Sequence, residues 1–158
     1  MAHDTGIKVV ASNRKAYHDY HIDQKYEAGV VLMGTEIKSV RAGQINLRDS
    51  YVQIRNGEAW LMNAHIAPYN HAARENHEPR RSRKLLLHKR EISRLAGKTQ
   101  EKGFTIIPLR IYLKGNKAKA EIALAKGKRQ YDKREAIAKR DSERHMQREW
   151  RESRRERG

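Results

Sequence analysis

Phe104-Thr-Ile-Ile-Pro-Leu-Arg-Ile-Tyr-Leu113, then Lys114-Gly-Asn-Lys117, then Ala118-Lys-Ala-Glu-Ile-Ala-Leu124, is the stretch from which the fold is most directly read. The first run is rich in β-branched and aromatic residues. The last run alternates at a period of two, the signature of a strand with one buried face. A turn-forming Gly-Asn pair separates them, so the stretch predicts a β-hairpin. Pro108 has no N–H to give to a ladder, which predicts an edge position or a bulge within the first strand.

Moving toward the N-terminus, Asp49-Ser-Tyr-Val-Gln-Ile-Arg55, Asn56-Gly57 and Glu58-Ala-Trp-Leu-Met62 predict a second hairpin. Asn-Gly suits its two-residue turn because both residues tolerate positive φ. His18-Asp-Tyr-His-Ile22 and Tyr26-Glu-Ala-Gly-Val-Val-Leu32 read as further strands, with Gly29 as a bulge and Gly34 as a turn. Two segments read as helices. Thr35 to Ala42 opens on a capping candidate, Thr35, and stops at Gly43. Leu87 to Ala96 sets Leu87, Ile92, Leu95 and Ala96 near one face, ahead of Gly97. Several short strands with few helices predict a mainly β fold, either a small closed barrel or a sandwich. The polar loop from Pro68 to Lys84 has the length of a binding loop.

Charge separates the function classes. The 158 residues hold 35 Lys+Arg against 19 Asp+Glu, a net charge of +16. Such an excess costs stability by self-repulsion; what it supplies is attraction for polyanions, each neutralised phosphate releasing a condensed counterion. A membrane is the weaker partner. The mean hydropathy is −0.99, and no apolar run approaches the ~20 residues a span requires. The N-terminus lacks a signal-peptide layout. Zero Cys removes disulfides and thiolate metal sites and fits a cytoplasmic protein. Residues 1–125 carry 22 basic and 12 acidic side chains and nearly all large apolar residues, whereas 126–158 carry 13 basic and 7 acidic. This predicts an RNA-binding body over 1–125 and a basic tail over 126–158. Alone the tail has too little apolar surface to offset its ordering entropy, but Ala138, Ser142, Met146 and Trp150 form a stripe on which a helix can order against a polyanion.

Signals for chemistry are poor. His71, Arg74, Glu75 and His77 fall in one loop and could be imagined as a nuclease site, yet such a loop is more often solvated or placed against phosphate. No metal-ligand spacing, phosphate-cradling glycine loop or nucleophile elbow occurs, so no cofactor and no enzymatic activity is expected. Signals for nucleic acid are better. Arg80-Arg-Ser-Arg-Lys84 puts four cations in five residues, Lys114, Lys117 and Lys119 crowd the hairpin, and Lys126, Lys128 and Arg129 open the tail. Tyr17, Tyr20, Tyr26, Tyr69, Tyr112 and Tyr131 are interspersed; in RNA, exposed bases stack on such rings, although ordinary barrel packing accounts for a share of them. With no zinc-finger or basic-leucine pattern, duplex DNA is not the expected partner.

Six short blocks occur in order: Asn13-Arg-Lys-Ala-Tyr-His-Asp-Tyr20, Tyr26-Glu-Ala-Gly29, Gly34-Thr-Glu-Ile-Lys-Ser-Val-Arg-Ala-Gly43, Asp49-Ser-Tyr-Val52, Arg83-Lys-Leu-Leu-Leu87, and Ala125-Lys-Gly-Lys128 with Asp132-Lys-Arg134. Together they resemble the SsrA-binding protein family over roughly residues 6 to 150. The resemblance implies a closed β-barrel of oligonucleotide-binding type with flanking helices. It implies that the body binds the tRNA-like domain of transfer-messenger RNA. It implies further that the complex joins the stalled 70S ribosome, where the tail meets small-subunit RNA in the vacant decoding site and messenger channel. The RNA-facing positions it implies are Asn13, Arg14, Glu27, Leu86 and Lys119. A carboxylate repels phosphate, so Glu27 is expected to accept from base amino or imino groups or ribose hydroxyls. For the decoding site it implies Tyr131, Asp132, Lys133 and Arg134. Tyr131 stands where relatives commonly have His, which keeps a stacking surface and puts a proton-linked role in doubt.

Overall fold

The computed structural model describes residues 6–70 and 76–128. In chain order its elements are β1 (Ile7–Ser12), α1 (Arg14–Asp19), β2 (Tyr20–Val30), α2 (Gly34–Arg41), β3 (Ile45–Asn46), β4 (Tyr51–Arg55), β5 (Glu58–Met62), β6 (His65–Ile66), β7 (Arg83–Leu86), α3 (Lys89–Thr99), β8 (Phe104–Lys114) and β9 (Lys117–Gly127). The main sheet is antiparallel and closes on itself. The order β8-β4-β5-β7-β2-β9 returns to β8 through the β8–β9 hairpin, and β1 pairs with the part of β8 beyond β4. Closure leaves no free edge around the ring, the barrel solution to exposed strand edges.

Both predicted hairpins are present. Asn56 and Gly57 adopt φ of 52° and 73°, as a two-residue turn with matched twist requires. Ladder pairing between β8 and β9 slips between Pro108 and Arg110, so Pro108 does mark a bulge. That slip has a consequence for the site. Ile106 and Ile111 face the barrel interior while Ile107 and Leu109 face outward, and the extra residue lets Leu109 and Arg110 both lie on the outer face.

Elsewhere the structure corrects the expectations. His18 and Asp19 belong to α1, because Ala16 buries itself against Ile107, Leu109, Ala123 and Ala125 on the outer face of the barrel. The bulge in β2 falls between Ile22 and Gln24, while Gly29 pairs regularly with both Lys119 and Leu86. Gly34 is the first residue of α2, and Thr35 does not cap it. Glu36 accepts from the Met33 backbone N–H at 2.8 Å and closes that end of the helix. Gly97 does not stop α3, since Thr99 Oγ1 donates to the carbonyl of Leu95 at 2.9 Å and carries the last turn past it. The strands β1, β3, β6 and β7 were not anticipated, three of them being four residues or fewer.

Two apolar clusters hold the body together. The larger fills the barrel with inward residues such as Ala28, Val52, Leu61, Leu85, Ile111, Ile122 and Leu124, closed at one side by Leu95 of α3. The smaller lies outside the barrel under α1. Of the small residues of β9, Ala118 and Ala120 face the barrel interior and Ala123 the outer cluster.

Candidate nucleic-acid interface

Side chains alternate across a strand, so the ladder register decides which residues share the outer face. Glu27 pairs with Glu121, which pairs with Arg110; Gly29 pairs with Lys119, which pairs with Tyr112. Leu86 pairs with Gly29 from β7. Glu27, Lys119, Leu86, Arg110 and Tyr112 therefore form one outward surface across four strands. Leu86 is 56% exposed, unusual for leucine, and lies over the bare Cα of Gly29: a Cβ there would stand 3.4 Å from that of Leu86. An exposed leucine beside cations offers a base an apolar surface without competing for its hydrogen bonds.

The surface runs on into a cleft of 440 Å³ lined by Ser12, Asn13, Arg14, Tyr17, Lys25, Leu109, Arg110 and Glu121. Asn13 sits where β1 turns into α1. Its amide donates to the carbonyl of Pro108 at 3.0 Å, and its backbone N–H donates to that of Leu109 at 2.8 Å. Two bonds to the bulge thus fix it, and the side-chain oxygen stays available. Lys25 Nζ stands 5.6 Å from the ring of Tyr17, itself 48% exposed.

Sequence reading missed the way Glu27 is held. Tyr112, buried, donates its hydroxyl to Glu27 Oε2, and Lys114 Nζ lies 3.9 Å from Oε1. Arg110 stacks over the Tyr112 ring at 5.0 Å and reaches Glu121 at 3.4 Å. Burial first, then the hydrogen bond to Glu27, pushes the Tyr112 phenol above its ordinary value, so it stays a donor at any physiological pH. One carboxylate oxygen is engaged from beneath; the other faces solvent beside a cation. A carboxylate so arranged can accept from a base edge or ribose hydroxyl, with Lys114 offsetting its repulsion of phosphate.

The basic run Arg80 to Lys84 turns out largely structural. Arg83 and Glu36 are wholly buried, with Arg83 Nε donating to Glu36 Oε2 at 2.6 Å, and the same guanidinium donates to the carbonyls of Ala64 and Pro79. Arg81 Nη2 donates to Glu36 Oε1 at 2.5 Å. Burial pushes the Glu36 carboxyl up, but the hydrogen bonds from Arg81, Met33 and Arg83 outweigh it and hold it below the usual carboxylate value. Arg80 is bound to Asn63 and Lys84 to Glu58 at the surface, while the other two of the four cations in the run, Arg81 and Arg83, are committed to the buried acid.

His77, the described member of the imagined nuclease loop, is buried. Nε2 donates to the carbonyl of Ile66 at 2.9 Å and Nδ1 meets Thr35 Oγ1 at 2.9 Å, which leaves no nitrogen for a reaction. His71, Arg74 and Glu75 lie outside the described residues, as do Tyr131, Asp132, Lys133, Arg134 and the Ala138–Trp150 stripe. Of the tyrosines, Tyr26 and Tyr112 are buried and Tyr17 is exposed. No helix among the described residues is long and apolar enough to cross a membrane.

A closed six-stranded barrel with a cationic, ring-bearing outer face places the chain in the class of oligonucleotide-binding-type β-barrels. The family model described as SmpB protein matches residues 10–152. The SsrA-binding protein of Carboxydothermus hydrogenoformans is 64% identical over 140 residues, covering 89% of this chain and 94% of that one. That of Roseiflexus castenholzii is 61% identical over 150 residues, covering 94% and 95%. A solved structure described as "tmRNA-SmpB: a journey to the center of the bacterial ribosome" aligns with a TM-score of 0.64 at 49% identity, over 75% of this chain and 83% of that one. This chain belongs to the SmpB family of SsrA-binding proteins.

Proposed function

We propose that this chain is an RNA-binding adaptor in trans-translation. It works in the cytoplasm by binding, not by catalysis. Its body grips the tRNA-like domain of transfer-messenger RNA, and the complex engages stalled 70S ribosomes. One observation carries the reading: the register of β2, β7, β8 and β9 puts Glu27, Leu86 and Lys119 on one outer surface that continues into the cleft of Asn13 and Arg14. Arg14 and Lys119 take phosphates. The free oxygen of Glu27 and the amide oxygen of Asn13 accept from base or ribose donors, and Leu86 packs on an unstacked base. The RNA named for the relatives and for the ribosome-bound neighbour supports the choice of partner. The tail, with Tyr131, Asp132, Lys133 and Arg134, enters the vacant decoding site and messenger channel and meets small-subunit RNA there.

The test is a salt-titrated binding curve against the tRNA-like domain, an ordinary tRNA and a single strand of equal length. Preference for the tRNA-like domain that persists as salt rises is the expected result. Equal affinities that fall together with salt would reduce the interaction to counterion release.

A further inference from the structure

A second cationic cleft lies beyond the surface described above. It has a volume of 280 Å³ and is lined by Gln24, Lys25 and Tyr26 of β2 and by Arg90, Glu91 and Arg94 of α3. Arg90 and Arg94 are four residues apart, so they stand on one face of α3. Both are exposed, and neither side chain makes a hydrogen bond or ion pair with another described residue. Glu91 is the one acid in that lining, its carboxylate accepting from the His88 backbone N–H at 3.0 Å, so three cations stand against one anion. Three cations and an amide side chain line one opening. Lys25 lines both this cleft and the Asn13–Arg14 cleft, so the two are neighbours across one side chain.

We propose that the β2–α3 cleft binds a phosphodiester of the RNA backbone, with Arg90 and Arg94 as its ligands and Lys25 bridging to the neighbouring cleft. The ligand is an anion because cations outnumber the one carboxylate. It is a phosphodiester of the same RNA because a nucleic-acid backbone presents its charges at regular short intervals. A strand lying in the Asn13–Arg14 cleft has its next phosphates within reach of Lys25 and then of α3. The argument rests on the RNA-binding reading given above. It predicts a footprint that extends past the outer face onto α3.

The full-length protein and the tRNA-like domain of transfer-messenger RNA serve for the test. The Arg90→Gln/Arg94→Gln variant should bind roughly tenfold more weakly at moderate salt, and its log–log salt slope should be shallower by about 0.8, the loss of one phosphate contact. Arg90→Lys/Arg94→Lys should restore the slope. Arg41→Gln/Arg48→Gln removes the same charge from exposed positions lining neither cleft and should change the slope by less than half as much. An unchanged slope in the Arg90/Arg94 variant, or an equal change in the Arg41/Arg48 control, overturns the site. Failure of the wild type to prefer the tRNA-like domain would instead overturn the adaptor reading itself. Since Arg90 and Arg94 are exposed and unpaired, the thermal midpoint should stay at the wild-type value, and a large fall would mean that their role is structural.

Discussion

At the scale of single residues, Glu27 shows how an exposed carboxylate is positioned by a buried group on another strand. Its carboxylate is held by a buried phenol, so its orientation does not depend on the RNA. Tyr112→Phe keeps the ring, its packing and the overlying Arg110, and deletes that one donor. The expected cost is about 1 kcal/mol in RNA affinity, roughly a fivefold rise in Kd, with the thermal midpoint nearly unchanged because Glu27 is half exposed and stays solvated. Titration calorimetry against the tRNA-like domain reads this directly; a variant that binds as wild type would mean Glu27 needs no support. Raising the pH does not mimic the substitution, since the phenol titrates above its ordinary value of about 10. Glu27 itself was legible only through the family resemblance, since a lone strand carboxylate otherwise reads as solvated. Tyr112 was not legible as its partner, because the two are 85 residues apart and meet only through β9, which pairs with both their strands.

At the scale of elements, the ion cluster of Glu36, Arg81 and Arg83 ties α2 to β7. Sequence reading recognised the helix yet took the basic run for a phosphate patch. Composition alone cannot tell an arginine that faces solvent from one that folds back onto a buried acid 47 residues away. Arg83 also ends on the carbonyls of Ala64 and Pro79, so one side chain supports the segments on both sides of β6. Removing its counter-charge strands a buried guanidinium. Glu36→Ala should therefore cost about 3–5 kcal/mol of unfolding free energy at pH 7, read from the urea midpoint, whereas Arg81→Ala, at the half-exposed end of the cluster, should cost far less. The pH dependence follows from the lowered carboxyl of Glu36. Its stabilisation is complete above the unfolded carboxyl value of about 4.3 and is lost as pH falls through the lower folded value. Between pH 5 and pH 3 the wild type should thus lose more stability than Glu36→Gln, which has no proton to take up. Parallel curves would show that the cluster titrates as it does in the unfolded chain.

At the scale of the whole molecule, body and tail are proposed to divide the work. Truncation after Lys128 should leave affinity for the tRNA-like domain within about threefold of wild type, since the shape-specific contacts lie in the barrel. The same protein should fail to support peptide tagging in a reconstituted stalled-ribosome assay. A truncated protein that loses RNA affinity would refute the division. The hairpins were legible from local signals: Asn56-Gly57, the period-two run after Lys117, and Pro108. Closure was left open between barrel and sandwich by the local signals and was legible only through the family resemblance, because it depends on β2 finding β9 across most of the chain and on very short strands with little periodicity of their own.

That last pairing carries a kinetic consequence. Residues 20–30 are made early, yet their long partner is residues 117–127, at the far end of the barrel sequence. While the chain is being synthesised, β2 has no ladder for most of its length, and the inward faces of β2, β4 and β5 lack a lid. Such a topology places much of the loop-closure entropy before the contacts that reward it, which makes folding slow for a domain of this size. The nascent body therefore passes through a stage with an open, partly apolar sheet, and its vulnerability to aggregation is concentrated in the interval before β9 is released.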